Sequence, residues 1–426
     1  MNVKVGQEVG YLTGPEKKSG RDSQIAFMTS GVFKNIIIRG NPEMEQASVV
    51  LFEEFDERYL LSDIGLALVE KAQNQGSKVK FVLMSATLNA QKFSEHFGSA
   101  PIVEAKGRPY PVETHFMSKR IDPRRMPEKA AELAVSIHQR HQQKGDVLIF
   151  MPGKQEINAT IEAMVKQKIT GATILPLHGE LSPQERHRIF EEQPGRKIIV
   201  STNIVERRLT IKGVRYVIDS GLVRMNEYDP AADMTKLVVT STAQDPLRQR
   251  QGRAGRTQPG ECYFLITQDE LNRRPASTKP EIMRTSLREV VLQIKAMGYS
   301  REGDPIRLID SPEKQNWKAA KSQLRLLGAL NPEDETKLSE FGQKLAELSC
   351  DPREGVMLLR GCEMGCGREM AIIAVIRTSR RLFYRPQAEA EQADAARKQF
   401  ETSNLSDLLN LMNVYEQAER ANFDSK

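Results

Sequence analysis

The sequence predicts an α/β protein that becomes all-helical toward its C-terminus. Three observations carry this. Short β-branched runs alternate with helix-period stretches as far as about residue 270. Strand signals then stop, and residues 341–426 read as helix punctuated by Gly and Pro. Five polar segments of chemical interest fall in order at strand ends or turns, where ligand sites of parallel α/β sheets lie.

In residues 1–113, buried-strand signals occur at Asn35-Ile36-Ile37-Ile38, at Ser48-Val49-Val50-Leu51 and at Val79-Lys80-Phe81-Val82-Leu83. A helix-period stretch, Leu60 to Gln73, separates the last two, and strand–helix–strand in that order suggests parallel pairing. Residues 117–128 hold Lys119, Arg120, Arg124, Arg125, Pro123 and Pro127 and read as a linker. The rhythm then resumes. A helix over 128–143 leads to the strand Val147–Phe150, a helix over 154–167 to Ala172–Leu177, and a helix over 183–192 to Lys197–Val200. Strands at Val214–Ile218 and Cys262–Ile266 follow, and Val223 to Thr240 between them reads as a hairpin turning near Asp229-Pro230-Ala231-Ala232. Amphipathic helices are predicted over 280–297 and 317–327.

Composition bounds the function. The 426 residues carry 62 Lys+Arg against 56 Asp+Glu, a net charge of +6, which permits a nucleic-acid partner without demanding one. Four scattered cysteines (Cys262, Cys350, Cys362, Cys366) make no disulfide framework, and Cys362 with Cys366 reads as a pair of reduced thiols in a helical core. Cys362-x-x-x-Cys366 lacks a second pair to complete a metal site. The longest apolar run, Ala371 to Ile376, cannot span a bilayer, and residues 1–15 do not resemble a signal peptide. The expected setting is intracellular, cytoplasmic or nuclear, with no membrane partner.

Of the five segments, Gln249-Arg250-Gln251-Gly252-Arg253-Ala254-Gly255-Arg256 is the most telling. Fixed arginines and a glutamine in a Gly-rich turn form a fork suited to a polyphosphate in its transition state. The others are Met28-Thr29-Ser30-Gly31, Glu53-Glu54-Phe55-Asp56-Glu57-Arg58, Ser85-Ala86-Thr87 and Thr202-Asn203-Ile204-Val205-Glu206. Adjacent carboxylates after a buried strand suit Mg²⁺ coordination and general-base work on an attacking water. Taken singly, an acidic pair is usually a solvated turn and Ser-Ala-Thr an ordinary loop; five in order, each after a suitable strand, are not. No G-x-x-x-x-G-K-[ST] occurs in the 426 residues, and Gly153-Lys154 is followed by Gln155.

With these residues, the chain resembles the DEAH-box RNA helicases of superfamily 2. Thr202 to Glu206 with Leu209-Thr210-Ile211 resembles that family's fifth motif, Gln249–Arg256 its sixth, Ser85-Ala86-Thr87 its third, and Met28–Gly31 a strand-contacting segment. The stretches at 107–113, 148–153, 280–285, 326–330 and 383–386 are family-like too. The resemblance implies tandem RecA-like domains, the first incomplete with its P-loop strand missing, then a winged helix and a helical ratchet bundle. The implied bounds are 1–113, 114–270, 271–340 and 341–426. It further implies ATP and Mg²⁺ as substrate and cofactor and RNA as partner. Glu54 would be the base, with Glu53 toward the metal and Asp56 beside them. Gln249, Arg253 and Arg256 would stabilise the γ-phosphate, with Thr210 on the nucleotide. Ser85, Ala86 and Thr87 would couple the motifs. Thr29, Thr202, Asn203 and Arg385 would contact RNA, and the hairpin would wedge strands apart.

The departures shape the expected function. The segment in which the family carries its phosphate loop would lie upstream of Met1. Asp-Glu-Ala-His reads Glu53-Glu54-Phe55-Asp56, so a longer carboxylate faces the metal, a bulky ring crowds the turn, and an acid replaces the histidine linking the nucleotide site to the second domain. Arg207, Arg208 and Lys212 stand at unusual positions of the fifth motif, and Pro246 interrupts the approach to Gln249. The expectation is a helicase-like protein impaired as an isolated chain, its first domain poorly formed or completed by a chain supplying the P-loop. The alternative is a non-catalytic RNA- or partner-binding pseudo-helicase.

Overall fold

The computed structural model describes residues 3–14, 16–20, 23–38, 47–105, 107, 110–140, 145–205, 211–298, 308–348, 350–378, 390–403 and 405–422. They fall into two compact units, one of residues 1–285 with Leu308–Ser311, the other of 286–307 with 312–426.

The first unit opens with three short strands, β1 (Val9–Leu12), β2 (Lys17–Lys18) and β3 (Ile25–Met28), in the order β2-β1-β3. The pairing of β1 with β3 is parallel, Leu12 facing Met28, and β3 runs directly into the helix Ser30–Ile38. That helix overturns the strand expected at residues 35–38. Its Phe33 packs into an apolar cluster, so a β-branched run that reads as a buried strand is recruited by tertiary packing into a helix.

Strands β4 (Val49–Phe52) and β5 (Lys80–Leu83) pair in parallel, with the helix Leu60–Asn74 between them as expected. Behind them Phe33, Phe52, Phe55 and Phe93 meet edge to face, at centroid distances of 5.5, 5.8 and 5.6 Å along the series. This half of the unit therefore has a formed core. Parallel sheets are normally covered on both faces, yet Leu51 is 59% and Val82 44% exposed where they stand side by side, and Phe27 on β3 is 62% exposed.

The rest of the first unit is a six-stranded, wholly parallel sheet. Its strands are β6 (Val112–Phe116), β7 (Asp146–Phe150), β8 (Ala172–Leu177), β9 (Arg196–Ser201), β10 (Val214–Asp219) and β13 (Gly260–Phe264), in the order β6-β13-β10-β7-β9-β8. Runs such as Val147-Leu148-Ile149-Phe150 and Ile198-Ile199-Val200 are apolar without alternation because both faces are buried. The strand β6 lies where the sequence suggests only the approach to a linker. The linker prolines sit in a 3₁₀ turn, Pro123–Arg125, and in the first turn of the helix Met126–Arg140, where a missing N–H costs nothing. The strands β11 (Leu222–Asp229) and β12 (Met234–Ser241) form the expected hairpin, with Asp233 left-handed at φ 48° in its turn.

In the second unit the helices Arg288–Ala296, Lys314–Leu326, Glu340–Glu347, Pro352–Glu363, Gly367–Thr378, Ala390–Lys398 and Asp407–Arg420 succeed one another. A single bridge between Leu330 and Leu338 is its only β pairing among the described residues. The helix expected over 280–297 is broken: a 3₁₀ turn, Glu281–Met283, precedes the helix that begins at Arg288. All four cysteines are free thiols, and only Cys262 is buried; Cys362 is exposed, so the expected helical-core setting fails there.

Candidate functional site

The site grows from strand ends. After Phe52 the chain turns sharply: Glu54 is left-handed (φ 52°, ψ 42°), Phe55–Glu57 make one 3₁₀ turn, and Arg58 is left-handed again (φ 49°, ψ 47°). Two such residues in one turn are strained, and packing fixes them. The Phe55 N–H donates to the Met84 carbonyl at 3.1 Å, stitching the acidic turn to the end of β5. Phe55 itself is 1% exposed, between Phe52 and Phe93. It does not crowd the turn, as expected from its bulk; it is the turn's anchor in the core.

The same stitching brings Ser85-Ala86-Thr87 beside the acidic turn. The Thr87 N–H donates to Ser85 Oγ at 3.1 Å, and the Thr87 hydroxyl donates to Asp56 Oδ2 at 2.5 Å. Gln249 closes the arrangement from the six-stranded half: its Nε2 donates to Asp56 Oδ2 at 2.9 Å and to Thr87 Oγ1 at 2.7 Å. The amide has two protons and the threonine hydroxyl both donates and accepts, so Gln249 Nε2, Thr87 Oγ1 and Asp56 Oδ2 close a ring of three hydrogen bonds, while Gln249 Oε1 is buried without one. An acid stands here in place of the histidine that the family resemblance gives as the link to the second half. Here Asp56 serves as the shared acceptor of that link.

Gln249 is delivered by the helix Gln244–Gln251. Pro246 does not interrupt it. The proline is the third helical residue, and its absent N–H is among those that have no partner within a helix. Arg250 points the other way, 1% exposed, pairing with Asp219 at 3.3 Å and lying 5.1 Å over the Phe150 ring. It fastens the helix to the sheet. The turn that follows needs glycine at Gly255, where an added Cβ would meet the Tyr110 carbonyl oxygen at 2.5 Å. Arg253 is buried and Arg256 exposed beyond that turn.

Of the remaining candidates, Glu53 is exposed and Glu54 half-buried at the head of the acidic turn. Thr29 is exposed just after β3, and Thr202 and Asn203 follow β9, with the Thr202 N–H on the Leu177 carbonyl at 3.1 Å. These three sit at strand ends outside the Asp56–Thr87–Gln249 cluster. Thr210 and Arg385 lie outside the described residues, as do Arg207 and Arg208. Among the described residues no group of three or more His, Cys, Asp or Glu could hold a metal. Mg²⁺ needs no such group, since one or two carboxylates with phosphate oxygens and water suffice; the pair Glu53 and Glu54 fits that donor set. No described helix is long and apolar enough to cross a membrane.

Residues without an assigned role in the sequence complete the surroundings. Arg58 pairs with Asp63 and Asp310, and the Glu281 carboxylate accepts the Leu60 N–H at 2.8 Å across 221 residues. Arg224 of the hairpin lies against Gly153 and pairs with Glu156 at 3.3 Å. Separation in sequence hid these pairings apart from Arg58–Asp63, only five residues apart, although Glu281 falls in a stretch already marked as family-like.

Comparison with known proteins agrees with this layout. The family described as helicase conserved C-terminal domain matches residues 128–258, and helicase associated domain (HA2), ratchet-like, matches 351–411. The pre-mRNA-splicing factor ATP-dependent RNA helicase prp22 of Schizosaccharomyces pombe is 36% identical over 417 residues, 95% of this chain and 35% of that protein. The DExH-box NTPase HrpB of E. coli superposes with a TM-score of 0.79 at 29% identity, covering 99% of this chain and 50% of the other. A second structure of HrpB from Escherichia coli, described as a DEAH/RHA helicase, gives 0.80 at 28% and covers 52% of that chain. The chain thus spans about a third of the curated relative and half of the solved ones.

Proposed function

The chain belongs to the DEAH-box helicases of superfamily 2, and from that premise we propose that it serves an ATP-dependent RNA helicase, contributing the acidic turn, the arginine-bearing wall of the ATP site and an RNA path. The observation that carries this is the Gln249–Asp56–Thr87 cluster, which ties the sixth-motif helix to the acidic turn and to Ser85-Ala86-Thr87.

In this reading Glu54 takes the proton of the attacking water. Glu53 stands where Mg²⁺ would be held; the ion, when bound, neutralises phosphate charge. Arg256, exposed at the turn, meets the developing charge on the γ-phosphate, and Arg253 follows once the turn opens around nucleotide. Thr210 faces the nucleotide. Thr29, Thr202, Asn203 and Arg385 hold the RNA backbone, and the hairpin of β11 and β12 separates strands. Residues 271–340 act as a winged helix and 341–426 as part of the ratchet, after RecA-like portions at 1–113 and 114–270. The long Glu53 carboxylate lowers turnover.

A second reading, RNA binding without turnover, is favoured by Glu53 and Asp56 standing where the family resemblance gives aspartate and histidine. One experiment separates the two: ATP hydrolysis by the 426-residue chain with and without single-stranded RNA, beside RNA binding titrated with salt. RNA-stimulated hydrolysis supports the first reading. Salt-sensitive binding without hydrolysis supports the second, and absence of both rejects each.

A further inference from the structure

The acidic turn is held from a side that the helicase reading does not use. Arg58 ends it, 7% exposed, and its guanidinium has three anchors. Nε and Nη2 reach Asp63 at 2.9 and 3.0 Å, a bidentate pair. Nη1 lies 2.7 Å from Asp310 Oδ2. The cation also sits 5.9 Å over the Phe55 ring and 5.4 Å over Phe93.

Asp310 belongs to Leu308–Ser311, the one segment beyond residue 285 that is part of the first unit; the chain on both sides of it belongs to the second. Two further contacts fix this strap. Ile309 packs against the cluster of Phe33, Phe52 and Phe55, and Lys92 reaches Asp310 Oδ1 at 2.6 Å. The Arg58 carbonyl also accepts the Glu281 N–H at 3.0 Å, while the Glu281 carboxylate caps the helix that starts at Leu60. Four residues after the candidate base Glu54, one side chain thus gathers segments from around residues 60, 92 and 310.

We propose that Arg58 is a positioning residue that locks the turn Glu53–Glu57 to the strap Leu308–Ser311, so that turn and strap move together. The proposal rests on the helicase reading for its use, since the turn would shift with nucleotide and the strap would report it. Phe55, bulky where the family resemblance gives a small residue, acquires a role here: its ring is part of the seat on which the guanidinium lies. Asp63 sets the fork of Arg58, and Lys92 supplies the second charge that keeps Asp310 in place.

Amide hydrogen exchange on the 426-residue chain tests this without nucleotide. Asp310→Asn keeps the size of the strap residue and removes its charge. The expected result is exchange about tenfold faster or more at the Glu57, Arg58 and Glu281 amides, with the Ile149 and Val217 amides of the large sheet unchanged. Asp310→Glu, which retains the charge, restores most of the protection. Unchanged exchange at Glu57 and Arg58 overturns the proposal, because turn and strap would then be independent. Equal acceleration throughout the first unit overturns it too, because Asp310 would only support the fold. Lack of ATP turnover in the unmodified chain would sink the helicase reading alone and leave the exchange result standing.

Discussion

Gln249 and Asp56 lie 193 residues apart in the chain and share a hydrogen bond of 2.9 Å, so the acidic turn and the arginine-bearing helix are fastened to each other before any nucleotide contact is considered. The bond fixes the polarity at this position. A carboxylate can only accept, so Gln249 must turn its amide nitrogen inward, and Thr87 must send its proton to the same oxygen.

Removing that acceptor leaves two donors stranded. Asp56→Ala should lower the stability of the first unit by about 1–3 kcal/mol, the usual cost of unsatisfied, partly buried polar groups. Paired with Gln249→Ala in a double-mutant cycle, it should show a coupling of roughly 1 kcal/mol. Urea denaturation measures both; additivity of the two losses would mean that the contact carries no energy.

Phe55→Ala discriminates between a crowded turn and an anchored one. The ring is 1% exposed within the aromatic cluster, so truncation should cost about 3–5 kcal/mol. A crowded ring would give the opposite sign, a rise in the thermal midpoint.

The two glycines of the Gln249–Arg256 segment should behave differently. Gly255→Ala drives a Cβ to 2.5 Å from the Tyr110 carbonyl oxygen and 2.7 Å from Val112 Cγ2, and should destabilise by about 1–3 kcal/mol. At Gly252 the nearest atoms lie at 3.4 and 3.5 Å and φ is −61°, so Gly252→Ala should stay within about 0.5 kcal/mol of the parent. Equal effects in thermal melts would contradict the turn geometry.

The carboxyls around Arg58 should titrate in a set order. Burial raises Asp63 above its ordinary value of 3.8, outweighing the opposing hydrogen bond and charge of Arg58. Burial pushes Asp310 the same way, but the hydrogen bonds and charges of Lys92 and Arg58 prevail and hold it below 3.8. Asp63, raised on folding, takes up its proton first as the solution is acidified, and folding gains stability through that step. Asp310, depressed on folding, stabilises fully above 3.8, and its contribution is lost as pH falls through its folded value below 3.8. Carbon-13 carboxyl shifts should therefore show Asp63 protonating before Asp310, with the strap released only in the more acidic range. The reverse order would refute the arrangement of charges.

Much of the architecture was legible in the sequence because local pattern and tertiary setting agree there. Uninterrupted apolar strands such as Val147–Phe150 occur because both faces of the sheet are covered, and Ala172–Leu177 is a strand over the predicted residues. The hairpin at Leu222–Ser241 was legible from its two runs and its Asp-Pro turn. The run Asn35–Ile38 was not, because β-branched residues were drawn into a helix on the aromatic cluster. The brief β1 to β3 sheet carries too few residues for a pattern.

By itself the sequence determined the order of the motifs, the alternation of strand and helix, and hence which side chains arrive at strand ends. Only the tertiary structure decided what those side chains meet. Asp56 reads as a lost histidine until Gln249 and Thr87 are seen on its carboxylate, and Phe55 as an obstruction until Phe52 and Phe93 are seen around it. Periodicity is set by neighbours a few residues away, whereas the hydrogen bonds on Asp56 depend on partners 31 and 193 residues distant, whose approach only the packed chain fixes.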